Sequence, residues 1–313
     1  MTVYVHTPVL LEAVLKLLEP AGGNQLLVDA TLGEGGHAEA FLSRFPGLNL
    51  CGVEKDEEIL DVARRRLARF GARVRLFRVC FSEFFRDYDR FCDRRPDRIL
   101  FDLGISMFHL EKSGRGFSFA KDEPLDMRID RGGERTAADI VNQSSPEELA
   151  AILRRFADEP FAGPISRAIV RARSRAPITT ASALAAVVRS AVPPSRRYGR
   201  IHPATRTFQA LRISVNWELE LLSEGLEHAF AVLNPTGRLG VIAFHSLEDR
   251  IVKRFFQERN KACTCPPDWP ICQCGGRRSL RTLTAKPVSA DSEEKERNPA
   301  SRSAKLRVAE KLE

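Results

Sequence analysis

Leu26 to Thr31 (LLVDAT) is a short apolar run that stops at a glycine-rich turn, and His37 to Phe45 follows with helical spacing. Leu48 to Glu54 is a second apolar run, after which Asp56 to Phe70 sets Ile59, Leu60, Ala63 and Leu67 on one helical face. Val74 to Cys80 alternates as a strand does, and Arg98 to Leu103 is again short and apolar. Strand and helix in repetition predict an α/β fold with a parallel sheet covered on both faces. Ligands of such sheets bind beyond the carboxyl ends of the strands. Asp29, Glu54 and Asp102 each close a strand and are therefore expected to share one crevice.

From Met107 to about Arg206 the pattern changes. A glycine-bearing stretch from Ser113 to Gly133 gives way to helices, the first opened by Ser145-Pro146-Glu147-Glu148, a capping box with proline at the first helical position. A helix over Ile165 to Arg175 would set Arg167, Arg171 and Arg175 on the face opposite Ile165, Ala168, Ile169 and Ala172. Phe208, Leu211, Val215, Leu219, Leu222 and Leu226 then read as one stripe of more than four helical turns, with Trp217 on it as a core aromatic. Arg238 to His245 is another buried strand, followed by a helix from Leu247 to Ala262. Ser289 to Ser301 reads as a mobile loop, and Lys305 to Leu312 as a closing edge strand. Resumed alternation after the helical block makes residues 107–206 an insertion within one sheet domain formed by 1–106 and 207–313.

Charge distribution sharpens this division. The chain of 313 residues carries a net charge of +8, yet the segment from Arg154 to Arg212 alone holds twelve arginines, no lysine and only two acids, Asp158 and Glu159. Basicity so concentrated points to a polyanion, nucleic acid before membrane. Arg167, Arg171, Arg175, Arg196, Arg197, Arg200 and Arg206 are its expected phosphate contacts, unless they only solvate helix faces. No apolar run approaches the roughly 18 residues of a membrane span, and the odd cysteine count does not suit a secreted disulfide scaffold, so a cytoplasmic protein without membrane attachment is expected. Cys263, Cys265, Cys272 and Cys274, paired as C-x-C twice, could hold a structural zinc or remain free thiols. No catalytic metal is called for.

Val28 to Gly36 (VDATLGEGG) places Gly33, Gly35 and Gly36 where a strand turns into a helix, and Glu54 ends the next strand. Glycines let backbone approach a ligand, while a carboxylate at that spacing accepts ribose hydroxyls, so an adenosine cofactor is implied. Carboxylates at the crevice would repel a pyrophosphate but suit the amino group and sulfonium of S-adenosylmethionine. A nucleotide-dependent oxidoreductase is the rival, and it would bind nicotinamide. A nucleophile methylated by such a donor needs an acceptor for the hydrogen it gives up, and Asp102 is the leading acceptor, with His245 and Asp126 in reserve. A base drawn from its stack also needs an aromatic slot, for which Phe108, Phe117, Phe119 and Trp217 are candidates.

Longer motifs carry a resemblance. His6 to Leu11 (HTPVLL), Gly33 to His37 (GEGGH), Asp102-Leu103-Gly104, Arg115 to Phe119 (RGFSF), Pro124 to Arg128 (PLDMR), His202 to Ala210 (HPATRTFQA) and Phe244 to Lys253 (FHSLEDRIVK) resemble the bacterial small-subunit ribosomal RNA cytosine-N4 methyltransferases, the RsmH (formerly MraW) family. The resemblance runs from His6 to about Arg307. It implies a class I, Rossmann-like methyltransferase sheet with an inserted helical domain, and S-adenosylmethionine-dependent methylation of the exocyclic N4 of one decoding-centre cytosine in 16S rRNA of the small ribosomal subunit. By resemblance the donor contacts fall on Gly35, Gly36, His37, Glu54, Phe81, Asp102 and His109, beside Gly33. The chain departs from the family in having Glu54 for the usual Asp, DLGISMFH over Asp102 to His109 for a D-L-G-V-S-S run followed by Gln, and Ala300 for the usual Arg. A non-catalytic RNA-binding or assembly factor on the same fold is the alternative.

Overall fold

The computed structural model describes residues 7–199, 202–262, 265 and 276–313. By internal contacts the chain divides into two compact units, one of residues 1–104 with 219–313 and one of residues 105–218. Sequence periodicity set the second boundary at residue 206. It falls later because the helix that follows residue 203 packs within the second unit.

The first unit opens with α1 (Leu11–Leu17), β1 (Leu26–Asp29), α2 (Gly36–Arg44), β2 (Asn49–Glu54), α3 (Glu57–Leu67), β3 (Val74–Arg78), α4 (Phe81–Arg86) and β4 (Arg98–Asp102). The second holds α5 (Met107–Glu111), α6 (Ala137–Gln143), α7 (Pro146–Ala157), α8 (Ala162–Arg173), α9 (Ala181–Ala191) and α10 (Ala204–Asn216). Then α11 (Glu218–Val232), β5 (Arg238–Ala243), α12 (Ser246–Arg259), β6 (Leu280–Thr282), β7 (Val288–Ser289), α13 (Ser292–Arg297) and β8 (Lys305–Lys311) complete the first.

The eight strands form one sheet of order β3-β2-β1-β4-β5-β8-β6, with β7 also paired to β8. β1 to β5 run parallel to one another, whereas β8 is antiparallel to β5, β6 and β7. Strand order reverses direction after β3, so the switch point lies between β1 and β4, where the α/β rule places a ligand crevice. Alternation along each strand loads both faces. Val28, Ile99 and Phe101 join Phe84 and Phe85 of α4, Leu222 and Leu226 of α11 and Phe255 of α12 in one core cluster. Leu27, Leu50 and Leu100 face the other way, onto Val14 of α1, Phe41 of α2 and Leu60 of α3. Continuous apolar strands are what burial on two faces requires.

In the second unit, Thr136 and Ser145 each begin a helix with a reciprocal capping box, and α7 packs on both α8 and α10. The glycine-bearing stretch is tied down through its backbone. Asn216 donates from Nδ2 to the Met127 carbonyl at 2.8 Å and accepts the Ile129 N–H at 2.8 Å.

Three expectations fail. The stripe from Phe208 to Leu226 is two helices, broken at Trp217, whose left-handed φ of 53° ends α10 and leaves its indole 65% exposed instead of in the core. Residues 289–301 are ordered as α13, capped by Asp291, and a 3-10 turn over Pro299–Ser303, with Glu294 accepting the Leu10 N–H. Strand β8 lies inside the sheet, because β6 and β7 cover the edge it would otherwise present. Among the described residues no helix is long and apolar enough to cross a membrane.

Candidate functional site

β1 and β4 are adjacent in register, Asp29 opposite Leu100, so their carboxyl ends meet at the switch point. Asp29 is buried, and its Oδ1 accepts the Thr31 N–H at 3.4 Å. Thr31 in turn accepts the Asp102 N–H on its Oγ1 at 2.6 Å, which fixes the backbone at the tip of β4. His37, in the first turn of α2, bridges to the same place. Its Nε2 lies 3.0 Å from the Val9 carbonyl and its Nδ1 3.4 Å from Asp102 Oδ2. The Asp102 side chain is 23% exposed, but its Oδ1 is buried and has no hydrogen-bond partner among the described residues.

Glu54 closes β2 on the other side of β1. Its Oε2 accepts the Gly33 N–H at 3.0 Å and its Oε1 the Asp56 N–H at 2.8 Å, so two backbone amides hold both carboxylate oxygens in place. Gly33 and Gly35 adopt φ of 54° and 79°, and Gly36 starts α2 so close to Pro8 that a Cβ there would stand 2.6 Å from the ring Cγ. Phe81 begins α4 with its ring edge-on to Phe101, at 5.4 Å between centroids.

Charge crowding follows from these positions. Burial pushes the Asp29 carboxyl up to about 7, opposed by His37 and reinforced by the charges of Asp102 and Glu54. Burial pulls His37 down, but its hydrogen bond and charge contact with Asp102, together with Asp29 and the Val9 carbonyl, outweigh that pull and hold it above its ordinary value. An imidazole facing an acceptor from each nitrogen satisfies both only when doubly protonated. The site therefore gathers the acidic side chains of Asp29, Glu54 and Asp102 with the His37 imidazole at the carboxyl ends of β1, β2 and β4.

The structure thus brings together Gly33, Gly35, Gly36, His37, Glu54 and Asp102, with Phe81 on the neighbouring helix. His109 belongs to the second unit, where it is buried against Phe117, 5.0 Å between ring centroids, with Nδ1 3.3 Å from Ser106 Oγ. The two reserve acceptors are engaged elsewhere. His245 caps α12 in a reciprocal box with Glu248, and Asp126 makes a two-point ion pair with Arg128 at 2.7 and 2.8 Å. Thr31 and the His37–Asp102 contact were not anticipated. A threonine in DAT and a histidine after GEGG carry no periodicity that reveals a long-range partner.

In the second unit Arg167, Arg171, Arg175, Arg196 and Arg206 are exposed, whereas Arg197 is turned inward onto the carbonyls of Val192 and Ser190. Phe117 is buried and Phe119 stacks on His202 at 4.4 Å, with Phe208 edge-on at 5.1 Å. Phe108 is partly exposed. His6, Arg200, Cys263, Cys272 and Cys274 lie outside the described residues, so of the cysteine cluster only Cys265 is described.

Residues 3–312 match the model of the MraW methylase family. The chain is 52% identical over 310 residues to the ribosomal RNA small subunit methyltransferase H of Treponema denticola, covering 99% of this chain and 98% of that protein. It is 47% identical over 311 residues to the protein of the same name from Syntrophotalea carbinolica, covering 99% of each. A solved rRNA methylase from Streptococcus thermophilus aligns with 97% of this chain and 94% of that one, at 11% identity and a TM-score of 0.41.

Proposed function

This chain belongs to the MraW methylase family, and from that premise we propose that it methylates the exocyclic N4 of cytosine 1402 in 16S rRNA, with S-adenosylmethionine as donor. The observation that carries the chemistry is Asp102 Oδ1, a buried acceptor with no partner among the described residues, at the switch point of the sheet. Left unsatisfied, such an atom costs about 1–3 kcal/mol, which a ligand hydrogen-bond donor would recover.

The residues present fit the donor. Glu54, fixed by two backbone amides, ends β2 where a ribose diol would lie, Gly33, Gly35 and Gly36 bring bare backbone to the crevice, and Phe81 offers an apolar wall. Asp29 and Asp102 supply the negative field that a cationic amino group and sulfonium need. When bound, the donor supplies an electrophilic methyl group. Bond formation at N4 requires its lone pair to leave conjugation with the ring and one hydrogen to depart. His37 holds Asp102 by Oδ2, so Oδ1 remains to accept that hydrogen. The exposed arginines of the second unit suit phosphates, and the Phe119–His202 stack suits a flipped base.

The test is transfer from labelled donor to small ribosomal subunits lacking the modification, with the product nucleotide mapped. Label on cytosine N4 supports the reading. Label on another atom or base overturns the target, and RNA binding without transfer would favour the assembly-factor alternative.

A further inference from the structure

At the amino ends of β1 and β2, away from the carboxylate cluster, the structure holds a cavity of about 160 Å³ that the methyl-transfer chemistry leaves unused. Cys51 of β2 and Cys92, in the segment after α4, both line it. Their sulfurs lie 3.2 Å apart, and each residue is almost fully buried. Arg73, Arg75, Arg94 and Asp93 line the same cavity. We propose that Cys51 and Cys92 form a hydroperoxide-reactive dithiol, oxidised to a disulfide that staples β2 to the segment following α4.

The surroundings of the two thiols separate their roles. The hydrogen bond from Cys51 draws the Cys92 thiol down to about 7 against the effect of burial, with the Tyr88 hydroxyl and the Arg75 guanidinium adding and Asp93 opposing. Cys51 is pushed up by the same hydrogen bond and by burial. Cys92 is therefore the attacking sulfur and Cys51 the resolving one. The Cys92 thiolate attacks one oxygen of the hydroperoxide, the O–O bond breaks, and the alkoxide or hydroxide leaves with a proton from the cavity, giving a sulfenic acid. Cys51 then attacks that sulfur and releases water. Two thiols lose two electrons and two protons, and the peroxide becomes an alcohol, or water, plus one water. A sulfur pair at 3.2 Å needs to close by only about 1.2 Å to reach bonding distance. A cavity of about 160 Å³ has room for a small peroxide beside the two sulfurs.

The experiment treats the full chain with hydrogen peroxide, blocks remaining thiols under denaturing conditions and maps the peptides by mass. The expected result is a reducible Cys51–Cys92 linkage, two hydrogens lighter than the reduced pair, and a melting temperature about 5 °C above that of the reduced protein. In Cys51→Ser, which lacks the resolving thiol, the reaction should stop at a Cys92 sulfenic acid that dimedone traps. Methyl transfer by that variant should equal wild type. Failure to find the linkage, oxidation of Cys92 no faster than of the partly exposed Cys80, or an oxidised protein that melts no higher overturns the proposal. If Cys51→Ser does not fold, peptide mapping of the unmutated chain decides alone.

Discussion

His37 and Asp102 come from opposite sides of the strand switch, and Nδ1 of the one lies 3.4 Å from Oδ2 of the other. The contact fixes which carboxylate oxygen is engaged and which is left without a partner among the described residues.

Asp102→Asn keeps the shape of the side chain and removes its ability to accept a proton. Turnover should fall by about 10²–10⁴-fold, while calorimetric affinity for the donor changes by less than about tenfold. A variant that retains wild-type kcat would remove Asp102 from the acceptor role.

The carboxyl of Asp29 reaches about 7 in the folded chain against 3.8 for the free group, so the fold binds its proton more tightly than the unfolded chain does. Its ionisation penalises the fold progressively between those values and by a constant amount above about 7. His37, also raised, contributes stability that is complete below 6.5 and lost as pH climbs through its folded value. Both effects weaken the protein toward alkaline pH. Asp29→Asn should therefore be more stable than wild type by about 1–3 kcal/mol at pH 8, with the advantage shrinking as pH falls toward 4, measured by urea unfolding.

Gly225 of α11 sits against Phe81 so closely that a Cβ would stand 2.6 Å from two ring carbons. Alanine gains about 1 kcal/mol of helix propensity but must displace the ring, at a cost of about 1–3 kcal/mol. Gly225→Ala should lower the melting temperature and weaken donor binding, read by thermal melting and calorimetry. Unchanged donor affinity would separate Phe81 from the donor.

Replacing Arg167, Arg171 and Arg175 of the second unit with glutamine should weaken RNA binding and flatten its salt dependence, reducing the slope of log K against log salt by about 2, without altering donor affinity. Filter binding across a salt series distinguishes this from loss of fold, which would abolish both.

The parallel strands were legible because burial on both faces leaves runs such as RILFD continuously apolar, and Asp29, Glu54 and Asp102 were legible because each terminates such a run. The break at Trp217 was not. Val215 and Leu219 keep the helical period across it, and only the backbone φ at residue 217 reveals the turn. Nor was the ordered segment before β8, since a charged run such as SEEKER looks solvated until Glu294 is seen accepting the Leu10 N–H, 284 residues away. Local pattern reports what a residue's neighbours in the chain require. Thr31 holding the tip of β4 and Arg197 turned onto carbonyls depend on partners that pattern does not encode.

The inner position of β8 also has a consequence for synthesis. Residues 305–311 leave the ribosome after every other strand, so until they emerge β5 presents a bare edge of unpaired amides and carbonyls along 238–243. The nascent sheet must wait half-zipped, and a chain interrupted before residue 305 is a sticky, aggregation-prone intermediate.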